Sequence, residues 1–435
     1  MPSSIYCVPR RVCRPRASPC SPRADVSEPA NPTTPAEPDV PVLRVPADGV
    51  PEPITNQAQL NDLVERMRGG SGPLAVDAER ASGYRYSQRA YLVQLRRAGV
   101  GTALIDPIPL PDLTRLSEAI GAAEWILHAA NQDLPCLAEL GLHPAALFDT
   151  ELAGRLLGEE RVALGTMVEQ HLGVRLEKGH SAADWSTRPL PHDWLVYAAL
   201  DVELLVDLRA ALAAALLDAG KDAWARQEFE AVRLARAPMP RAEPWRRTSG
   251  IHKLRNRGQL GTVRALWHAR DEYAAQRDVA PGRILPDAAI VEAARAAPQR
   301  ATDLAALPVF GGPRQRRQLS RWFEAILTAR GLADDQLPPV ISSDAGDGIP
   351  PPARWRDRDP QAAVRLTGCR AVVGELAVAH SVLAQNLLAS DVIRRLAWAP
   401  PQPVEASSVR LRLAELGARP WQIELTAERL AAALA

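Results

Sequence analysis

Leu74-Ala75-Val76-Asp77-Ala78-Glu79-Arg80 is an apolar run that ends in two acids separated by one small residue. Side chains alternate along a strand, so the run predicts a buried strand whose end carries Asp77 and Glu79 on one face, within reach of one cation. Alone the pair is ambiguous, because acids at a strand end also serve turns and helix caps.

Outward from this run, the pattern between residues 53 and 235 is short apolar segments followed by amphipathic ones. It predicts a helix over 57–68, strands over 74–77, 91–96, 102–105 and 125–128, and helices over 112–120, 132–140, 150–157, 164–172 and 191–217. Strands come early and helices late, as in a mixed sheet flanked by helices. Strand signals then disappear. Residues 250–333 read as a helical bundle, 334–352 as a Gly-, Pro- and Asp-containing linker, and 355–435 as a second helical unit. The stretch Leu266 to Ile290, ending ILPDAAI, resembles Leu366 to Ile393, ending LLASDVI. This marks either a duplicated module or two unrelated amphipathic helix pairs.

A chain of 435 residues exceeds one typical core, so two or three domains are expected. Apolar residues at 46% and charged residues at 24% fit a globular protein. No apolar stretch reaches the roughly 18 residues of a membrane span, and a soluble protein without a membrane partner is expected. The net charge of +1 gives no overall field toward a polyanion, so any nucleic-acid surface must come from the distribution of charge. Cys7, Cys13 and Cys20 lie in the Pro- and Arg-rich beginning, with Cys136 and Cys369 in patterned sequence. That spacing is neither a disulfide framework nor a zinc site and suits a reducing cytoplasm. Residues 1–45 lack a hydrophobic period and are predicted disordered. Their Arg and Ser content resembles an organellar transit peptide, although a plain tail or a mis-assigned start codon is the preferred reading.

Two further motifs extend the first. In WILHAANQDL (125–134) a strand-like run feeds a polar turn, with Asp133 near the start of a helix, where capping is the competing role. In LVYAALDVELL (195–205), Tyr197 and Asp201 lie four residues apart on one helix face, an arrangement also met in ordinary amphipathic helices.

In this order the three motifs resemble the DEDDy exonucleases. With KGHSAADWSTRPL (178–190) and FDTELAGRLLG (148–158), residues 53–335 resemble the ribonuclease D family in particular. The resemblance implies a ribonuclease H-like fold and 3′-5′ exonuclease activity on RNA, releasing nucleoside 5′-monophosphates. It implies Asp77, Glu79, Asp133 and Asp201 as ligands of two divalent cations, Mg²⁺ or Mn²⁺, with Tyr197 positioning the attacking water. Two such ions roughly 3.5 to 4 Å apart stabilise the attacking and leaving oxygens of a phosphodiester, and hard carboxylates suit them. A phenol of ordinary pKa, about 10, is a poor base at neutral pH, so orientation is the first role of Tyr197 and proton transfer the second. The implied partner is RNA with a single-stranded 3′ end, precursor tRNA included, and the implied enzyme a cytoplasmic monomer.

Other residues are candidates for substrate contact. Gln94 in YLVQL fits the family text, Arg188 offers a phosphate ligand and Trp185 a stacking surface; a strand amide and a packed loop are the alternatives. Asp149 reads as a helix cap or a residue beside the site, and His128 as a hydrogen-bonded strand-end histidine. The segment WRRTSGIHKLRNRGQLGTVRALWHAR (245–270) carries Arg246, Arg247, Lys253, Arg255, Arg257, Arg264 and Arg270 with no acid. Arg314, Arg316, Arg317 and Arg321 form a second basic run. Either could displace counterions from a phosphate backbone, and a solvated helix face is the alternative. RDVAPGRILPDAAI (277–290) and LPVFGG (307–312) resemble an HRDC domain, which implies nucleic-acid binding, and residues 355–435 could supply a second HRDC-like module, with Trp398 and Trp421 in its core. Two rivals stay open: a DNA 3′-5′ exonuclease, and a catalytically silent nucleic-acid-binding protein. No GxxxxGK[ST] loop occurs, so a helicase motor is excluded.

Overall fold

Five strands form a mixed sheet in the order β4-β3-β2-β5-β6, where β2 is Ser71–Arg80, β3 Ala90–Ala98, β4 Gly101–Ile105, β5 Glu124–Leu127 and β6 Ala146–Asp149. The computed structural model describes residues 40–177, 179, 182–236, 241–340 and 348–435. The tail expected to be disordered thus lies outside them as far as residue 39, as do Lys178, His180 and Ser181 of one quoted motif and 341–347 of the expected linker. A further strand, β1 (Val42–Leu43), pairs in parallel with β7 (Arg175–Leu176). This corrects the disordered reading at residues 42–43, because the Arg175 and Glu177 amides donate to Pro41 and Leu43. Two residues are too few to show a period.

The helices of this part are α1 (Gln57–Gly69), α2 (Thr114–Ile120), α3 (Leu134–Glu139), α4 (Thr150–Leu157), α5 (Leu164–Leu172), α6 (His192–Glu203), α7 (Leu205–Asp218) and α8 (Asp222–Arg233). In α1, Asn56 caps the Gln59 amide, and Leu60, Leu63, Val64 and Met67 recur at helical spacing and are buried. They pack beneath Leu74, Val76 and Ala78 of β2, each contributing about 1.5–3 kcal/mol. The alternate residues Ala75, Asp77 and Glu79 face the other side, toward α6 and α7. The sequence missed β6 and α8. It also ran α6 and α7 together, although the backbone breaks at Leu204 (φ −108°, ψ 7°). The helix expected over 132–140 starts at Leu134, after a 3₁₀ turn at Ala130–Gln132.

All remaining described elements are helical. The first module comprises α9 (Arg257–Arg277), α10 (Pro281–Ile284), α11 (Asp287–Ala296), α12 (Ala301–Ala305), α13 (Pro313–Arg316) and α14 (Leu319–Arg330). The second comprises α15 (Trp355–Arg358), α16 (Pro360–Ala379), α17 (Ala384–Leu387), α18 (Ser390–Trp398), α19 (Ala406–Glu415) and α20 (Pro420–Leu434). Trp245, Phe310 and Trp322 centre a separate core in the first module. The second shares one core with α4, α7 and α8, where Trp421 stacks on Trp224 at 4.7 Å and donates to buried Glu228. Trp398 packs against Trp355 in the same core.

The faint sequence repeat has a structural counterpart. Each module runs from a long helix through a left-handed residue, Asp278 (φ 46°) or Ser381 (φ 48°), into a one-turn helix and then a longer one. Both turns dock on the sheet domain. Asp278 accepts from the Ser87 amide, and the Ser381 carbonyl accepts from buried Lys221, which also reaches the Leu156 carbonyl. No helix among the described residues is long and apolar enough to cross a membrane.

Candidate active site

The end of β2 presents Asp77 and Glu79 on one face, and α6 crosses that face carrying Tyr197 and Asp201 one turn apart. Carboxylate oxygens of Asp77, Glu79 and Asp201 lie within 4.8 Å of one another. Asp133 stands outside that set of three, buried at the start of α3, with Arg80 Nε 4.0 Å from its carboxylate. It makes no side-chain capping bond, so the carboxylate is not consumed by the helix end.

Asp149 does the capping. Its carboxylate accepts from the Leu152 amide of α4 and from the Ala129 and Ala130 amides of the turn that leads to Asp133. That turn passes through the left-handed region at Ala129 (φ 61°), a costly conformation for a residue with a Cβ. One buried acid therefore fixes the position of another. His128 hydrogen-bonds Thr150 and is pushed down to about 4 by burial, so it is a neutral structural residue at pH 7.

Crowding the acids raises their pKa values. Burial, offset in part by the Ala78 amide and Arg80, moves Asp77 up to about 6. Burial and then repulsion from Asp77, Asp201 and Asp133 move Glu79 up to about 10. Asp133 and Asp201 are raised well above the carboxylate range, in each case by burial first and Asp77 second. Such a set holds protons until cations compensate the charge. Hard oxygen donors gathered in this way fit Mg²⁺ or Mn²⁺ rather than zinc or copper. The Tyr197 hydroxyl is hydrogen-bonded to Asp201, and burial followed by the Asp201 and Glu79 charges raises its pKa still further. It is a neutral phenol, suited to orienting a water rather than to taking its proton.

Three substrate-contact expectations are corrected. Trp185 is fully buried, tilted against Trp194, and offers no face to a base. Arg188 has no donor left for a phosphate: it grips buried Asp106 with two and gives the others to the Tyr91, Trp185 and Thr187 carbonyls. Gln94 is fully buried beneath α6, beyond substrate reach, with no hydrogen-bond partner for either amide atom.

Two residues escaped the sequence reading. Arg80 is the cation that lowers the pKa of Asp77, Glu79 and Asp133, and its only sequence signal was adjacency to the acid pair. Gly179 lies so close to Tyr197 that a Cβ there would sit 3.1 Å from the ring.

Residues 51–217 match the family model described as a 3′-5′ exonuclease, 259–326 the HRDC domain, and 348–434 the 3′ to 5′ exonuclease C-terminal domain. Ribonuclease D of Acidiphilium cryptum is 32% identical over 370 residues, covering 81% of this chain and 88% of that protein. This chain belongs to the ribonuclease D family. Ribonuclease D of Zymomonas mobilis subsp. mobilis is 33% identical over 293 residues, 66% of this chain and 74% of the relative. A protein of Bifidobacterium adolescentis superposes with a TM-score of 0.83 at 36% identity, covering 91% of this chain and all of that one. Escherichia coli RNase D superposes at 0.64 with 24% identity over 88% and 98% of the two chains, which shows the shared fold. As a member of the ribonuclease D family the chain is a nuclease, a hydrolase with a ribonuclease H-like exonuclease domain and an HRDC domain.

In the HRDC part of this ribonuclease D family member, the expected basic surface divides. Arg257 is corrected as an RNA contact, since it donates to the Asp334 and Leu337 carbonyls at 2.6 Å. Arg264 reaches the Gln336 carbonyl, Arg246 pairs with Glu243, and buried Arg270 pairs with Asp287. Lys253, Arg255, Arg316 and Arg317 are exposed and make no ion pair among the described residues.

Proposed function

We propose that this member of the ribonuclease D family trims RNA from single-stranded 3′ ends one nucleotide at a time, precursor tRNA included, with two Mg²⁺ or Mn²⁺ ions held by Asp77, Glu79, Asp133 and Asp201. The approach of Asp77, Glu79 and Asp201 to within 4.8 Å carries this reading. Bound there, the cations would supply charge for the attacking and leaving oxygens and make water more acidic.

The chain's own residues do the rest. Asp77 and Glu79, fixed by the strand, and Asp201, fixed by α6, define where the scissile phosphate sits. Tyr197, anchored through Asp201, orients the water whose oxygen attacks phosphorus. The bond from phosphorus to the 3′ oxygen of the preceding nucleotide breaks, that oxygen takes a proton, and a nucleoside 5′-monophosphate leaves. Arg80 partly balances the acids and would limit their repulsion of the phosphate. Work as a monomer in the cytoplasm completes the proposal, which the buried free thiols of Cys136 and Cys369 suit.

The test is digestion of a 3′-tailed precursor tRNA with and without Mg²⁺, beside ribose and deoxyribose oligonucleotides. Single-nucleotide shortening of ribose chains is expected, abolished by Asp77→Asn while RNA binding persists. Equal loss of binding and digestion, or undiminished digestion, would remove the proposed role of Asp77. Preference for the deoxyribose chain would turn the assignment to DNA.

A further inference from the structure

A cavity of about 390 Å³ in the HRDC domain is lined by Tyr273 and Arg277 of α9, Arg314 of α13, Arg317, Gln318 and Trp322. No carboxylate lines it. Two guanidiniums lie over the Tyr273 ring, with Arg321 Cζ 4.5 Å and Arg277 Cζ 5.4 Å from its centre. Arg277, Arg314, Arg317 and Arg321 make no ion pair with any acid among the described residues, in a chain that has 51 acids for 52 bases. The contrast with the start of this domain is direct, because there Arg246 and Arg270 are paired with carboxylates. Like charges gathered around a concavity repel one another, and an anion seated among them offsets that repulsion.

The walls are fixed in advance. Trp322 donates to buried Gln315, and Gln315 donates in turn to the Ile284 carbonyl. The position also bears on the active site. Asp271 and Asp278, in the same last turns of α9 as Tyr273 and Arg277, bind Tyr86 and the Ser87 amide. Those two residues belong to the loop that leaves the β2 end carrying Asp77 and Glu79.

We propose that this cavity holds the phosphodiester backbone of the RNA upstream of the 3′ end being trimmed, with Arg277, Arg314 and Arg317 as phosphate ligands. The proposal rests on the exoribonuclease reading above and adds a second binding point to it. Guanidiniums read phosphate rather than base, so the site grips any sequence. Its consequence is length dependence: RNA long enough to span both points binds more tightly than RNA that fills only the acid cluster.

The experiment is fluorescence anisotropy of the full chain with 20-nucleotide and 4-nucleotide oligoadenylates in EDTA, for the parent, R277E/R317E and the milder R314A. The double variant is expected to weaken 20-mer binding at least tenfold and R314A about threefold, with 4-mer binding within twofold of the parent. The slope of log Kd against log salt should fall by about 0.7 for each phosphate that is no longer neutralised. Unchanged 20-mer affinity overturns the site, and so does equal weakening for both lengths or stronger binding of decaglutamate than of RNA. Binding is read without turnover, so failure of the exonuclease reading shows separately, as undegraded RNA in Mg²⁺ with the length effect intact.

Discussion

Asp77 and Gln94 face each other across the antiparallel pairing of β2 and β3, so carboxylate and carboxamide project from the same side of the sheet beneath α6. Gln94 is fully buried and its amide has no partner. An unsatisfied buried amide costs about 1–3 kcal/mol, so a purely structural core would hold a leucine there.

Replacing Gln94 by Leu should therefore leave thermal stability unchanged or raise it, while hydrolysis of an oligoadenylate falls by about tenfold or more, the usual effect of losing a group behind a metal ligand. RNA affinity in EDTA should stay the same. A calorimetric scan beside a rate measurement decides the matter: lower stability with full activity would make Gln94 a packing residue only.

Raised carboxyl pKa values link stability to pH in a defined direction. Glu79, with its folded value near 10 against an ordinary 4.5, retains a proton that the unfolded chain has lost. The unfolded state binds fewer protons across that window, so stability falls as pH rises. In EDTA the melting temperature should decline between about pH 6 and 9. Saturating Mn²⁺ should abolish the decline and release protons on binding, seen as heats that vary with buffer ionisation enthalpy. A melting temperature indifferent to both pH and Mn²⁺ would argue against a shared acid cluster.

Arg188 holds the loop before α6 to β3 and to Asp106, whose carboxylate is buried. Arg188→Ala strands that carboxylate and should cost about 3 kcal/mol of stability. Denaturant unfolding reads the cost, and oligoadenylate affinity at a temperature where the variant is folded should match the parent. A stable variant with weakened RNA binding would restore Arg188 as a phosphate ligand.

Asp278 joins the HRDC domain to the loop after Glu79. Burial pulls its carboxyl upward, but the Ser87 amide and hydroxyl, Arg89 and Tyr91 outweigh it and hold the group below its usual value. The stabilisation is thus complete above the unfolded aspartate pKa and is lost as pH falls through the folded one. Asp278→Asn should melt below the parent at pH 7 and converge with it toward pH 3. A constant gap across that range would show that the charge of Asp278 does not make the joint.

The sheet was legible because its central strands are apolar runs of ordinary length. Two-residue β1 and four-residue β6 were not, since so few residues show no period. The acid motifs were legible for a related reason: alternation on β2 and a four-residue step on α6 each fix which side chains share a face. Trp185 and Arg188 were misread because an aromatic ring and a guanidinium suit a packed interior and a substrate surface equally well. Only the partners decide. Buried Asp106 and three carbonyls claimed the arginine, and Trp194 lies against the indole.

By itself, then, the sequence determined the order of strands and helices, the faces that carry Asp77, Glu79, Tyr197 and Asp201, and the two helical modules, because all of these follow from periodicities within a few residues. Tertiary structure alone decided which charges are free. Arg257 and Arg270 look like Arg277 and Arg317 in sequence, yet the first two are bound by carbonyls or an acid from elsewhere in the chain and the last two are not. Charge is a property of the residue, but its availability depends on distant groups that folding brings within about 3 Å.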